Sequence, residues 1–265
     1  MLYNKVNYTA DISYLTNVFI YEYDISKANI NILYTKGVID KSIYDFLYNS
    51  ERMTRQVYVG KLCKDVAVSN ILKAGIIEAK ETLFNANNIQ DRDVLSIKND
   101  AVFLINKRLA NTKFGLINFV EKNVYTSFYK INGIEFYYYY SNATKVEYID
   151  IKGISDDKLK QHQEYFLQIL KDLFYSIQVN GPEISSRMLK DIYNEYVTLQ
   201  LPVECYRNFD VSSMFHMNLL INNNTGYNIE AVSERQKNMI DITNNLKILI
   251  EIQKIIMSMY FNKYK

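Results

Sequence analysis

The chain has 265 residues, with no tryptophan, two cysteines and two histidines, but 24 tyrosines and 13 phenylalanines. These counts exclude a disulfide framework and a cysteine-rich or histidine-rich metal site. The 31 basic and 29 acidic residues leave a formal net charge of +2, so a nucleic-acid surface would have to be a local patch. Any catalysis is therefore expected to depend on carboxylates.

Targeting signals are the next feature. The N-terminal residues contain no apolar run of the kind that a secretory signal needs, and no stretch approaches the ~18 apolar residues of a membrane span. We therefore expect a cytoplasmic protein with no membrane partner. The frequent Asn, Ile, Lys and Tyr indicate an AT-rich genome, such as that of a phage or a low-GC bacterium. For a phage protein the compartment is the host cytoplasm.

The first predicted elements are a strand and three helices. Aromatic and β-branched residues predict a strand over 14–24. A helix capped by Ser26 follows and ends at Gly37, and a second short helix covers 40–48. An apolar stripe at helical spacing predicts a long helix over 61–87.

The most regular hairpin pattern comes next. Two apolar runs, 94–98 and 101–105, flank Asn99-Asp100, where an Asn or Asp residue tolerates the dihedrals of a tight turn. The pattern then predicts four more strands, of which the second and third are joined by the turn sequence Asn132-Gly133. These strands cover 114–120, 123–131, 134–140 and 145–151.

Beyond Gly153 the pattern becomes helical. The predicted helices cover 156–179, 182–199, 211–221 and 233–261. The sequence therefore predicts two domains, an α+β domain over 1–153 and a helical domain over 154–265.

Two acidic residues stand at ends of predicted strands. Asp24 closes the first strand, and Asp100 lies at the tip of the hairpin. Two carboxylates from neighbouring strands can hold a pair of divalent cations for phosphoryl transfer, and Mg²⁺ prefers oxygen ligands. Each residue also has a simpler interpretation, because acids favour helix N-termini and Asp is common in hairpin turns.

The order of these segments resembles the palm domain of template-directed DNA polymerases. Residues 23–33, with a strand-terminal Asp followed by Ser and an apolar helix, look like motif A of that family. Residues 97–103 look like motif C, and the long helix before them matches the palm helix. Residues 145–154 resemble the Lys-Gly-Ile segment that leads into the thumb of family B polymerases. The resemblance implies a polymerase-palm-like antiparallel sheet with packed helices, followed by an all-helical, thumb-like C-terminal region.

The resemblance also implies a reaction and its residues. The chain would be a DNA-polymerase-like nucleotidyltransferase acting on primer–template nucleic acid. Asp24 and Asp100 would be catalytic and would bind two Mg²⁺ ions with the main-chain carbonyl of Ile25. The residues expected to hold the triphosphate are Arg52, Arg55 and Lys61.

Tyrosine-rich strands with interleaved lysines are a second candidate surface, because aromatic side chains stack on bases while lysines follow the phosphate backbone. A half-buried sheet with exposed lysines explains the same pattern. The residues expected to contact nucleic acid are Lys122, Lys130, Lys152 and Gly153.

The departures from the family keep other functions open. Lys98-Asn99-Asp100 retains only the last acid of the family B Asp-Thr-Asp, and Ala101 replaces the Glu of family A. Lys98 would either pair with the carboxylate, which favours an inactive site, or face solvent or a primer phosphate. No fingers domain is present, so a partner polymerase subunit is expected to supply it. The alternatives are an inactive palm-like scaffold that binds nucleic acid or a replication or transcription protein, and a phage structural or host-takeover protein.

Overall fold

The computed structural model describes residues 1–152, 164–206 and 239–263. The chain forms two compact units. The first contains Met1–Asp11 and Val18–Tyr125, and the second contains Ile12–Asn17 and Thr126–Lys265. The predicted α+β class with a helical C-terminal part is confirmed. The division after Tyr125 places 126–152 with the helices, and the domain boundary at 153 stays a prediction.

The described residues contain eight strands, seven α-helices and three short 3-10 helices. The strands are β1 (Asn7–Thr9), β2 (Tyr14–Ile25), β3 (Val94–Lys98), β4 (Ala101–Ile105), β5 (Lys113–Phe114), β6 (Ile117–Ile131), β7 (Ile134–Tyr140) and β8 (Glu147–Lys152). The α-helices are α1 (Ala28–Thr35), α2 (Lys41–Asn49), α3 (Arg52–Leu62), α4 (Val66–Ala86), α5 (Glu164–Val179), α6 (Pro182–Val197) and α7 (Met239–Lys263). The 3-10 helices are Leu2–Asn4, Asp91–Asp93 and Val203–Tyr206.

In the first unit the strands lie in the order β1-β3-β4-β2-β6. Side chains alternate between the two faces of a strand, and one face of this sheet packs against α4 and the start of α1. Its core contains Tyr23, Ile25, Ala28, Ala79, Leu83, Phe84, Val94, Ile97, Val102, Leu104 and Phe119. A smaller core joins α1, α2 and α3 around Ile30, Leu33 and Leu47.

In the second unit β6, β7 and β8 are antiparallel neighbours, and the C-terminal helices supply the remaining core. Tyr129 stacks on Phe174 of α5 with ring centroids 4.1 Å apart. The predicted Asn132-Gly133 turn is confirmed, because both residues have positive φ between paired strands. None of the helices among the described residues combines the length and hydrophobicity that a membrane span needs.

The helix predicted over 61–87 corresponds to α4, which begins at Val66, and residues 61–62 belong to the end of α3, a helix that was not predicted. A break over residues 63–65 separates α3 from α4, and the Asp65 carboxylate caps α4 by accepting a hydrogen bond from the Ala67 amide at 2.8 Å. The break was not visible in the sequence, because the apolar residues before and after it keep nearly the same helical spacing.

Other boundaries also differ. Lys27, in the left-handed region at φ 50°, precedes α1 without a side-chain cap, so the predicted Ser26 cap is wrong. The strands predicted at 114–120 and 123–131 are mostly one continuous strand, β6, which pairs with the short β5. The sequence missed β1 because it has only three residues. The predicted helix over 211–221 lies outside the described residues.

Gly75 gives a stability test of the packing between α1 and α4. A Cβ at this position would overlap the Cγ2 methyl of buried Ile32. Gly75→Ala gains about 0.5–1 kcal/mol of helix propensity, but overpacking costs about 1–3 kcal/mol. We expect net destabilisation of about 1–2 kcal/mol in urea unfolding followed by circular dichroism.

Gly60 in α3 is the matched control, because no atom lies within 4 Å of its added Cβ. Gly60→Ala should stabilise the protein by about 0.5–1 kcal/mol. Equal stabilisation by both substitutions would contradict the tight α1–α4 contact.

Candidate active site

The pairing of β2 with β4 positions the two candidate carboxylates. The strands are antiparallel, and the register ends with Tyr23 opposite Val102. Continuing this register brings the end of β2, which carries Asp24, alongside the turn between β3 and β4. That turn begins at Asn99, whose left-handed φ of 57° is tolerated by Asn, and Asp100 follows it.

The two carboxyl groups interact directly. Burial raises the pKa of Asp100 to about 6, and the negative charge of Asp24 raises this pKa as well. The groups are close enough for Asp24 to accept a hydrogen bond from protonated Asp100, which also raises the pKa. Like charges that share a site disfavour simultaneous ionisation, and a bound cation relieves that repulsion.

Lys122 on β6 lies beside this pair. Its ammonium is 3.4 Å from Asp24 Oδ2, and its positive charge lowers the pKa of Asp100. Lys122 is more than half exposed, so it can exchange this partner for a ligand. The Lys98 ammonium instead donates to Thr9 Oγ1 on β1 at 3.0 Å.

Buried Glu22 fixes the strand that carries Lys122. It lies two residues before Asp24 on the same face of β2. Its Oε2 accepts hydrogen bonds from Asn123 Nδ2 and the Tyr125 hydroxyl, both at 2.7 Å. Glu22 was not among the residues predicted from the sequence. The signal for Glu22 was an acidic residue two positions before Asp24, in a strand whose other residues are mostly apolar or aromatic.

An open cavity of about 260 Å³ lies in front of the carboxylates. Four cationic side chains share its wall with the two acids. The lining residues are Asp24, Ile25, Lys27, Ala28, Asn29, Ile30, Arg52, Arg55, Gln56, Val59, Asp100 and Lys122. The cavity therefore suits an anionic ligand that also carries a cation.

Helix α3 and the start of α1 supply three of these cations. Arg52 and Arg55 lie on the first turns of α3, and the Arg55 guanidinium donates to the main-chain carbonyl of Ser50. The Lys27 ammonium lies 3.4 Å from the Tyr48 ring centroid and donates to the Tyr48 carbonyl at 2.7 Å. Lys27 was not among the residues predicted from the sequence, although its position three residues after Asp24 was a usable signal.

The structure thus brings six of the predicted site residues to one cavity, namely Asp24, Ile25, Arg52, Arg55, Asp100 and Lys122. Lys61 is exposed near the C-terminal end of α3 and does not line this cavity. The roles of these residues stay predictions.

The remaining predicted residues belong to the second unit. The Lys130 amide donates to the Ser13 carbonyl at 2.8 Å. The Lys152 ammonium is 2.7 Å from Asp150 Oδ2. Gly153 lies outside the described residues. Nucleic-acid contact by these three residues stays a prediction.

The oxygen donors of the cavity fit Mg²⁺, which is bound through one or two carboxylates together with waters and substrate phosphates. Asp24 and Asp100 supply two carboxylates, and Ile25, whose main-chain carbonyl was predicted as a further ligand, lines the same cavity. Within the ranges that the structure describes, His, Cys, Asp and Glu form no group of three or more that would hold a metal. A cation here would therefore take its remaining ligands from water or from the phosphate oxygens of a bound substrate.

The fold and the site define an α+β protein with a carboxylate pair in a cationic cavity. The chain belongs to a bacteriophage protein family, because residues 1–258 match the family described as Bacteriophage PBS1 gene 130 protein. The phage origin expected from composition is thereby supported. A search of curated proteins found no match.

Proposed function

We propose that this phage protein is a polymerase-like nucleotidyltransferase component that acts on primer–template nucleic acid in the host cytoplasm. The observation that carries the proposal is the convergence of Asp24 and Asp100, from neighbouring strands, in a cavity that four cationic side chains also line. A Mg²⁺-bound nucleoside triphosphate has the complementary chemistry, because its phosphates pair with the cations and its metal pairs with the carboxylates.

The order of elements supports the polymerase part of the proposal. Strand β2 carries the motif-A-like Asp24 as its penultimate residue and leads into α1, α4 precedes the hairpin, and Asp100 lies at the hairpin turn. This is the order that the resemblance to polymerase palms implies. A fingers domain is still required, and the proposal includes a partner subunit that supplies it.

Each group has a separate task in this mechanism. Asp24, Asp100 and the Ile25 carbonyl would hold Mg²⁺, which when bound supplies charge stabilisation for phosphoryl transfer. Arg52, Arg55 and Lys27 would hold phosphate oxygens and thereby position the reacting phosphorus. Lys122 would exchange Asp24 for a phosphate of the nucleotide or the primer.

Primer extension tests the proposal directly. The full chain, with a labelled primer–template and deoxynucleotides, should extend the primer in Mg²⁺ but not in excess chelator. Because a partner subunit is expected, the same assay should be run with extract from phage-infected cells depleted of this chain. Equal incorporation with and without added chain would contradict the proposal.

An inactive nucleic-acid-binding scaffold is the second candidate. The Lys122–Asp24 ion pair favours it, since a lysine ammonium already compensates one of the two acids. Primer–template binding measured against salt separates this candidate from a structural protein, because the slope grows with the number of phosphate contacts. A scaffold would show that slope in a chain that does not incorporate nucleotide.

Substitution of the arginines tests the phosphate-binding side of the cavity. Arg52→Gln and Arg55→Gln should each weaken binding of a fluorescent nucleoside triphosphate by about 10–100-fold, because a charge-assisted hydrogen bond contributes about 1.5–3 kcal/mol. Lys61→Gln and Lys64→Gln should change the affinity much less, since neither residue lines the cavity. Equal losses in all four variants would indicate a nonspecific charge effect.

A further inference from the structure

Lys80 is a buried lysine in the middle of α4, with no exposed surface. Burial of an ammonium is costly unless the group is hydrogen-bonded. Lys80 satisfies this need with two main-chain carbonyls, donating to Lys5 at 2.5 Å and to Asn99 at 3.1 Å. Burial lowers the pKa of Lys80 to about 8, and the charge of Asp100 acts in the opposite direction.

These two acceptors belong to different segments that meet at the β3–β4 turn. Lys5 precedes β1, and Asn99 is the residue immediately before Asp100. The Asn99 amide also donates to the Val6 carbonyl at 2.7 Å, and β1 pairs with β3 up to Lys98. Lys80 therefore connects α4, the N-terminal segment and the turn that carries Asp100.

Packing does not explain a lysine at this position. Ile76, Ala79, Leu83 and Phe84 are buried neighbours along the same helix, and an apolar side chain would avoid the cost of burying an ammonium. Lysine differs from methionine here by its charge and its three donors. Two of those donors are used, one on the Asn99 carbonyl of the turn and one on the Lys5 carbonyl of the N-terminal segment.

We propose that Lys80 is a positioning residue that fixes the Asn99–Asp100 turn and so holds the Asp100 carboxylate in the cavity. The part of this inference that concerns metal binding rests on the proposed function. The part that concerns the turn does not, because it is a statement about hydrogen bonds within this chain.

Lys80→Met tests both parts, because methionine retains length and apolar bulk without charge or donors. Lys73→Met, an exposed lysine on the same helix, is the matched control. Amide hydrogen exchange should accelerate by about 10–100-fold at Asn99 in Lys80→Met, beyond any change at Leu104 in the same hairpin. Mn²⁺, followed by its electron paramagnetic resonance signal, should bind at least about 10-fold more weakly to Lys80→Met than to the wild type.

The outcomes separate the two proposals. Exchange that increases equally at Asn99 and Leu104 would show only general destabilisation and would overturn the positioning role. Selectively faster exchange at Asn99 in Lys80→Met, together with a wild type that binds no Mn²⁺, would support the positioning role and contradict the proposed function. Selectively faster exchange at Asn99 in Lys80→Met, with the same Mn²⁺ affinity as the wild type, would overturn the claim that Lys80 positions the Asp100 carboxylate.

A measurement on the wild type covers the case in which Lys80→Met does not fold. The Lys80 ammonium protons should exchange slowly enough to be seen in ¹⁵N NMR, whereas those of Lys73 should not, because only Lys80 is buried and bonded to two carbonyls. Rapid exchange of the Lys80 ammonium protons would overturn the inference.

Discussion

Replacing Asp24 or Asp100 with asparagine is expected to lower Mg²⁺-dependent nucleotide incorporation by about 10³-fold. Asparagine has nearly the same shape but no negative charge, so each substitution removes one of the two carboxylates that would hold the metal. Metal charge stabilisation contributes several kcal/mol, and each 1.36 kcal/mol is a tenfold change in rate. The measurement is single-nucleotide primer extension under the conditions in which the wild type is active.

Asp45→Asn is the control for this prediction. Asp45 is an exposed acid on α2 whose carboxylate pairs with Lys41, so its loss should leave incorporation within about twofold. Circular dichroism should show that all three variants remain folded. Retention of most activity by either Asp24→Asn or Asp100→Asn would contradict the catalytic assignment.

Asp100→Asn is also expected to stabilise the protein near pH 7. Burial and the charge of Asp24 raise the pKa of Asp100 from 3.8 to about 6 in the folded protein. The folded state therefore binds this proton more tightly than the unfolded state does. The stabilisation from that proton is complete below about pH 4 and is lost as the pH rises through about 6.

Asparagine stays neutral, so the variant should be more stable than the wild type by about 2–3 kcal/mol at pH 7, and the difference should disappear near pH 4. Lys80 keeps both carbonyl acceptors in this variant. Urea unfolding at several pH values, followed by circular dichroism, measures the difference between the two proteins. Glu51→Gln, which alters an exposed acid at the start of α3, should show no comparable dependence. A stability difference between the variant and the wild type that grows towards acid pH would contradict the conclusion that the Asp100 carboxylate is buried and repelled by Asp24.

The sequence was sufficient for the strands that carry the two carboxylates. Aromatic and β-branched residues predicted β2, and the Asn99-Asp100 turn followed from the tolerance of Asn for left-handed φ, which the structure shows at 57°. Because these strands were expected to be neighbours, Asp24 and Asp100 were selected together. The structure places both in one cavity.

The sequence was insufficient where tertiary contacts decide the outcome. The break between α3 and α4 depends on the Asp65 cap, which lets the chain restart as a second helix. Lys27 reaches the cavity from a left-handed backbone position that periodicity does not reveal. A lysine on the core-facing stripe of α4 indicated that Lys80 needs buried hydrogen-bond acceptors. The sequence could not identify those acceptors, because the Lys5 and Asn99 carbonyls lie far from Lys80 along the chain.

Binding of Mn²⁺ tests the central claim most directly, because it requires neither a partner subunit nor a template. Titration of the wild type, Asp24→Asn and Asp100→Asn, with and without a nucleoside triphosphate, can be followed by electron paramagnetic resonance. We expect saturable binding to the wild type that the triphosphate strengthens, and a loss of at least about 10-fold in each variant. Equal Mn²⁺ affinity in all three proteins would contradict a cation site shared by Asp24 and Asp100.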